Sequence, residues 1–180
     1  MRPLYKLLFK LFGWKVNGAI PESLKQYVMI VAPHTSNWDF FVGLAARSIL
    51  KLDTKYVAKK ELFRFPFGWI FKSLGGFPVD RSKNNNFVDA VSDLFNEYQR
   101  FSICITPEGT RSYAPKWKTG FYYIAQKANI PVVMVAFDYG RKEVKVEAPY
   151  YLTGDMEKDI EFMMDYYRKV KGKFPENGIR

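Results

Sequence analysis

Along this chain, short apolar runs alternate with stretches in which apolar residues return every three or four positions. Residues 27–32 (YVMIVA) form an apolar run stopped by Pro33, which predicts a buried strand. Residues 40–50 have the content and length of a helix, and residues 55–58 predict a short strand. A stretch rich in Phe, Trp and Gly follows over 63–76, then a brief strand over 77–79. Phe87, Val91, Leu94 and Tyr98 mark one helical stripe over 86–100. Residues 102–106 (SICIT) predict a strand ended by Pro107, residues 119–129 a helix, and residues 130–137 (IPVVMVAF) a strand buried on both faces. Residues 143–148 (EVKVEA) alternate as an exposed or edge strand does. A last helix over 155–170 buries Met156, Ile160, Met163 and Tyr167. Its acids (Asp155, Glu157, Asp159, Glu161) come early and Arg168, Lys169 and Lys171 come late, an order that suits the helix dipole and on this reading needs no further role.

Strand–helix alternation with continuously apolar strands predicts an α/β fold: a largely parallel central sheet with flanking helices, in a single domain over residues 17–180. Residues 1–16 stand apart. Leu4, Leu7, Leu8, Leu11 and Trp14 recur at helical spacing, and Tyr5, Phe9 and Phe12 widen that face. Lys6 and Lys10 lie opposite, and no acidic residue precedes Glu22. The segment is expected to be a basic amphipathic helix at a membrane interface, without the cleavage site of a signal peptide. A first helix packed on the domain's own core has the same pattern, and both readings stay open.

Charge sharpens the picture. With 28 Lys and Arg against 18 Asp and Glu, the formal net charge is +10, which points to a polyanionic partner, either nucleic acid or an anionic membrane. No helix-turn-helix or aromatic RNA-binding signature accompanies it, so no nucleic acid is expected. Apolar runs of 18 residues are absent, so no single helix is expected to span a bilayer. Lone Cys104 cannot form an internal disulfide and fits a reducing compartment. With only one histidine beside it, a His/Cys zinc site cannot be assembled, and no metal is expected.

Chemistry concentrates after the strands. His34, Arg81 and Glu108 each follow a predicted strand, and ligands of open α/β sheets bind beyond the strands' carboxyl ends. His34 is the sole histidine, and Asp39 lies five residues on, close enough to hold one ring nitrogen while the other acts as a base. Ser36-x-x-Asp39 also resembles a capping box, in which Asp39 serves only backbone N–H groups. In TPEGTRS (106–112), Arg111 can fork onto a phosphate while Gly109 and Thr110 offer backbone and hydroxyl donors; a surface turn with a local Glu–Arg pair is the plainer alternative. No GxxxxGK[ST] loop and no GxSxG elbow is present, so a nucleotide cradle and a serine nucleophile both lack their usual signature. A base without a protein nucleophile implies that a substrate hydroxyl attacks.

Four segments in order resemble the blocks of the glycerolipid acyltransferase family, which includes 1-acylglycerol-3-phosphate acyltransferases. His34-Thr35-Ser36-Asn37-Trp38-Asp39 matches the His-x4-Asp block, and residues 107–112 match Pro-Glu-Gly-Thr-Arg-Ser letter for letter. Residues 75–81 look like the glycine-rich block ending in arginine, and Ile130-Pro131-Val132-Val133 like the proline-opened strand. Lys118-Thr119-Gly120 resembles the Lys-x-Gly segment that leads into a helix. Pro33 and Thr35 depart from the residues often found on either side of the family histidine.

The resemblance implies an O-acyltransferase. His34 would take the proton of a lipid hydroxyl, Asp39 would orient His34, and Arg81, Glu108, Gly109, Thr110 and Arg111 would bind the phosphate-bearing acceptor. The co-substrate would be an acyl thioester on coenzyme A or acyl carrier protein, with no further cofactor. The expected acceptor is a lysophospholipid, foremost 1-acylglycerol-3-phosphate, giving phosphatidic acid. An ornithine-type or other lysolipid, water in a thioesterase, and a non-catalytic lipid- or membrane-binding module are the alternatives. The expected location is peripheral, on the cytoplasmic face of an anionic membrane, and no intact long two-helix anchor is expected within the 33 residues before His34.

Overall fold

The computed structural model describes residues 2–66, 68–79 and 84–180. The chain runs α1 (Arg2–Leu11), β1 (Lys15–Asn17), β2 (Gln26–Ala32), α2 (Trp38–Leu50), β3 (Lys55–Lys59), α3 (Gly68–Ser73), β4 (Gly76–Val79) and α4 (Asn84–Glu97), then β5 (Phe101–Ile105), α5 (Gly120–Lys127), β6 (Val132–Asp138), β7 (Glu143–Val146) and α6 (Met156–Arg168). The seven strands form one sheet in the order β1-β7-β6-β2-β5-β3-β4. Every neighbouring pair is parallel except β6 with β7. This is the α/β sheet with flanking helices that the apolar runs predict.

Period two along the central strands separates two cores. Val28, Ile30 and Ala32 of β2, with Val132, Met134 and Ala136 of β6, face a layer built by Val91 and Phe95 of α4, Phe121 and Ile124 of α5, and Met163 and Tyr167 of α6. Tyr27, Met29 and Val31, with Val133, Val135 and Phe137, face Ala45 and Ala46 of α2 and Phe9 of α1. Burial on both faces is why these strands read as unbroken apolar runs rather than alternating ones.

Two local expectations are corrected. The run over 143–148 is not an edge strand: β1 pairs with it through Val16↔Val144, and β6 flanks it on the other side. Val144 and Val146 are buried, and Glu143 is buried too, with its carboxylate 3.6 Å from Lys15 Nζ. The covering strand is three residues long (KVN), too short to carry a period. In the last helix Asp159, read as one of the early acids serving the helix dipole, is instead fully buried and accepts four hydrogen bonds.

The N-terminal helix divides its apolar residues. Phe9 is buried, with Tyr5 and Trp14 packed beside it in the core that α2 shares. Leu4, Leu7, Leu11 and Phe12 stay in solvent, each more than half exposed. No helix among the described residues is long and apolar enough to cross a membrane.

Candidate active site

β2 and β5 are adjacent and parallel, and β6 flanks β2 on its other side, so their carboxyl ends meet at one rim of the sheet. The loop after β2 carries His34, the loop after β5 carries Glu108, and Tyr139 directly follows β6. His34 is thus gripped from both sides.

His34 Nδ1 lies 2.9 Å from Asp39 Oδ2. A carboxylate has no proton to give, so Nδ1–H donates and Nε2 keeps its lone pair for a substrate proton. The same Oδ2 accepts the backbone N–H groups of Thr35 and Ser36, each at 3.0 Å. One carboxylate therefore makes both the ring contact and the capping-box contact. Its second oxygen, Oδ1, accepts the Tyr139 hydroxyl at 2.7 Å. Asp39 is 3% exposed and cannot recruit bulk water for these positions.

Glu108 is buried, and its Oε1 accepts the His34 backbone N–H at 2.9 Å. Burial pushes its carboxyl pKa up, against the pull of that N–H. Its other oxygen has no hydrogen-bond partner among the described residues. Of the residues grouped above as acceptor ligands, Glu108 thus turns inward beneath the histidine, whereas Gly109, Thr110 and Arg111 are exposed. Gly109 has φ +65°, so the turn favours glycine, and the end of the Lys118 side chain lies over it. Arg81 lies outside the described residues.

Two concavities meet at His34. A small polar recess of about 260 Å³ is lined by His34, Thr106, Gly109, Thr110 and Arg111. A large cleft of about 1830 Å³ extends from His34 past apolar side chains that include Val31, Phe40, Leu44, Leu50 and Ile105, with Lys118 also on its wall. Cys104 borders the cleft, but burial pushes its thiol up to about 12, so it remains a thiol at neutral pH. Among the described residues no three His, Cys, Asp or Glu side chains are grouped to hold a metal ion.

The C-terminal chain straps this loop down. Phe174 N–H donates to Thr35 Oγ1 at 3.2 Å, and Tyr139 N–H donates to the Lys171 carbonyl at 2.9 Å. Gly172 sits so close that a Cβ would meet Thr35 Oγ1 at 2.7 Å. Lys173 Nζ lies over the exposed Trp38 ring, 4.6 Å from its centroid. Sequence reasoning missed Tyr139 and this strap. Tyr139 could have been found, because it stands two residues beyond the predicted strand over 130–137, at the same sheet rim as His34 and Glu108.

The chain is 31% identical over 144 residues to the 1-acyl-sn-glycerol-3-phosphate acyltransferase of Saccharomyces cerevisiae, covering 74% of this chain and 46% of that protein. It is 31% identical over 137 residues to the enzyme of the same name from Haemophilus influenzae, covering 71% and 55% respectively. The chain therefore spans about half the length of these relatives. The crystal structure of the 1-acyl-sn-glycerophosphate acyltransferase PlsC from Thermotoga maritima shares the fold, with a TM-score of 0.57 at 20% identity over 96% of this chain and 80% of that one. A family model described as Acyltransferase matches residues 15–138, a span that takes in His34, Asp39 and the turn from Glu108 to Arg111, and the chain belongs to that acyltransferase family.

Proposed function

We propose that this protein is an O-acyltransferase that moves a fatty acyl group from an acyl thioester to the free hydroxyl of a lysophospholipid, foremost 1-acylglycerol-3-phosphate. One observation carries the reading: the only histidine, oriented by a buried carboxylate, stands where an apolar cleft meets a polar recess bearing Arg111. An acyl donor and a phosphate-bearing acceptor are the two substrates that such a junction suits. The names of the relatives supply the acceptor.

His34 Nε2 takes the acceptor's hydroxyl proton, and the oxygen attacks the thioester carbonyl. The tetrahedral oxyanion collapses, the C–S bond breaks, and the departing thiolate takes the proton back from the imidazolium. Asp39 keeps Nδ1–H in place and stabilises the transient cation. Arg111, with the Gly109 and Thr110 donors, holds the acceptor phosphate in the recess. Coenzyme A or acyl carrier protein carries the thioester.

The test follows thiol release from palmitoyl-CoA and from palmitoyl-acyl carrier protein, with and without lysophosphatidic acid. Release that depends on the lysolipid is the expected result. Release without any acceptor would make the protein a thioesterase. No release from folded protein with any pairing would move the reading to another lysolipid, and then to a lipid-binding module.

The exposed face of α1 is the membrane contact in this proposal. Leu4, Leu7, Leu11 and Phe12 would enter the interface of an anionic leaflet while Lys6 and Lys10 meet its headgroups. A Leu7→Glu/Leu11→Glu double variant, altered only at exposed positions, is expected to float with anionic vesicles about tenfold less well than the unmodified chain. Equal flotation of the two proteins would place the membrane contact elsewhere.

A further inference from the structure

We infer that Tyr139 is a positioning residue of this site, acting through Asp39 to fix the plane of the carboxylate that orients His34. The inference rests on the acyl-transfer reading, but half of its test needs no substrate.

Asp39 shares its two oxygens unequally. Oδ2 serves three donors: His34 Nδ1, Thr35 N and Ser36 N. Among the described residues Oδ1 has one, the Tyr139 hydroxyl. A carboxylate turns readily about Cβ–Cγ, and that turn decides whether Oδ2 stays in line with the imidazole. Tyr139 is the group that holds the far oxygen. Without its hydroxyl a buried anionic oxygen is left unpaired, and the carboxylate rotates to reach another donor.

Tyr139 is itself well held. Its backbone N–H is tied to Lys171 O, and its ring meets Trp14 edge-on, with centroids 5.0 Å apart and planes at 90°. Trp14 in turn packs on Phe9 of α1, at 6.0 Å between centroids. The hydroxyl is therefore placed by β6, by the C-terminal strap and by the N-terminal segment together. Burial and the Asp39 carboxylate both push its pKa up, so it remains a donor across the working range.

Tyr139→Phe removes the hydroxyl and keeps the ring against Trp14 and the backbone bond to Lys171. Because the chain has a single histidine, its imidazole nitrogen and Nδ1–H signals in an NMR spectrum belong to His34 without further assignment. In the wild type the neutral ring is expected as the Nδ1–H tautomer with a deshielded, slowly exchanging proton. In Tyr139→Phe that signal should move upfield and exchange faster, while kcat falls about tenfold with KM within about twofold. A Tyr139→Phe protein whose melting temperature drops while the His34 signal and kcat stay unchanged would overturn the inference, leaving Tyr139 a packing residue. A wild type inactive on every thioester and lysolipid sinks the acyl-transfer reading instead, and the His34 signal still decides whether Tyr139 orients the pair.

Discussion

His34→Ala is expected to abolish lysolipid-dependent thiol release, lowering kcat about a thousandfold or more with little change in KM. Within the polar recess the other side chains are two threonines and an arginine, none of which accepts a proton near neutral pH. Asp39 cannot substitute, because its oxygens are taken by the loop amides and Tyr139, and it borders the apolar cleft rather than the recess. Glu108 faces the underside of the loop, with one oxygen on the His34 amide. The substitution should barely touch stability, since the imidazole is partly exposed and Asp39 keeps two backbone donors and one hydroxyl. Melting temperature and acyl transfer measured on the same preparations separate the two effects. Retention of more than a tenth of the wild-type rate would show that the acceptor is deprotonated by some other group.

The layered fold was readable in the sequence because its strands are buried on both sides. An apolar run such as YVMIVA has no alternative to a core, and Pro33 or Pro107 ends it cleanly. β1 and the true place of β7 were hidden for the opposite reason, since three residues cannot show a period and a largely exposed Lys–Val–Asn strand shows no apolar excess. The site divides along the same line. The His34–Asp39 pair and the 107–112 turn are local motifs, each contained within six consecutive residues. Tyr139 reaches Asp39 from a hundred positions away, and the Gly172 strap from farther still. Contacts of that kind are set by which strands are neighbours, and one sequence contains no direct record of that order. Asp159 misled for a further reason: an acid in the first turn of a helix suits the dipole whether or not it also faces inward.

Asp159→Ala is expected to cost about 3–5 kcal/mol of folding stability while leaving the rate per folded molecule intact. The carboxylate takes the Tyr150 hydroxyl at 2.7 Å, the Thr153 hydroxyl at 2.8 Å, and the Tyr122 hydroxyl and Thr153 N–H at 3.0 Å each. These donors come from α5, from the segment bridging Val132 to Tyr150, and from the turn before α6, so one side chain ties three segments together. Removing it leaves the buried Tyr122 hydroxyl without its partner and frees the donors of half-buried Tyr150 and exposed Thr153. Burial alone would push the Asp159 pKa up, but the bonds from Tyr150, Thr153 and Tyr122 outweigh it and hold the carboxyl below its ordinary 3.8. A carboxyl with a lowered folded pKa adds stability above the unfolded value and loses it as pH falls through the folded one. Urea unfolding at pH 7 and below pH 4 tests this: the wild type should lose a component of stability on acidification that Asp159→Asn lacks at both pH values. An unchanged pH slope in the variant would mean that the carboxyl titrates alike in both states. The consequence for function is indirect, since α6 leads into the strap that holds Thr35 and Tyr139. At about 15 °C, near the usual stability maximum, the folded fraction of Asp159→Ala should still transfer acyl groups, whereas His34→Ala should be folded and inert; stability and chemistry are carried here by residues at opposite ends of β6.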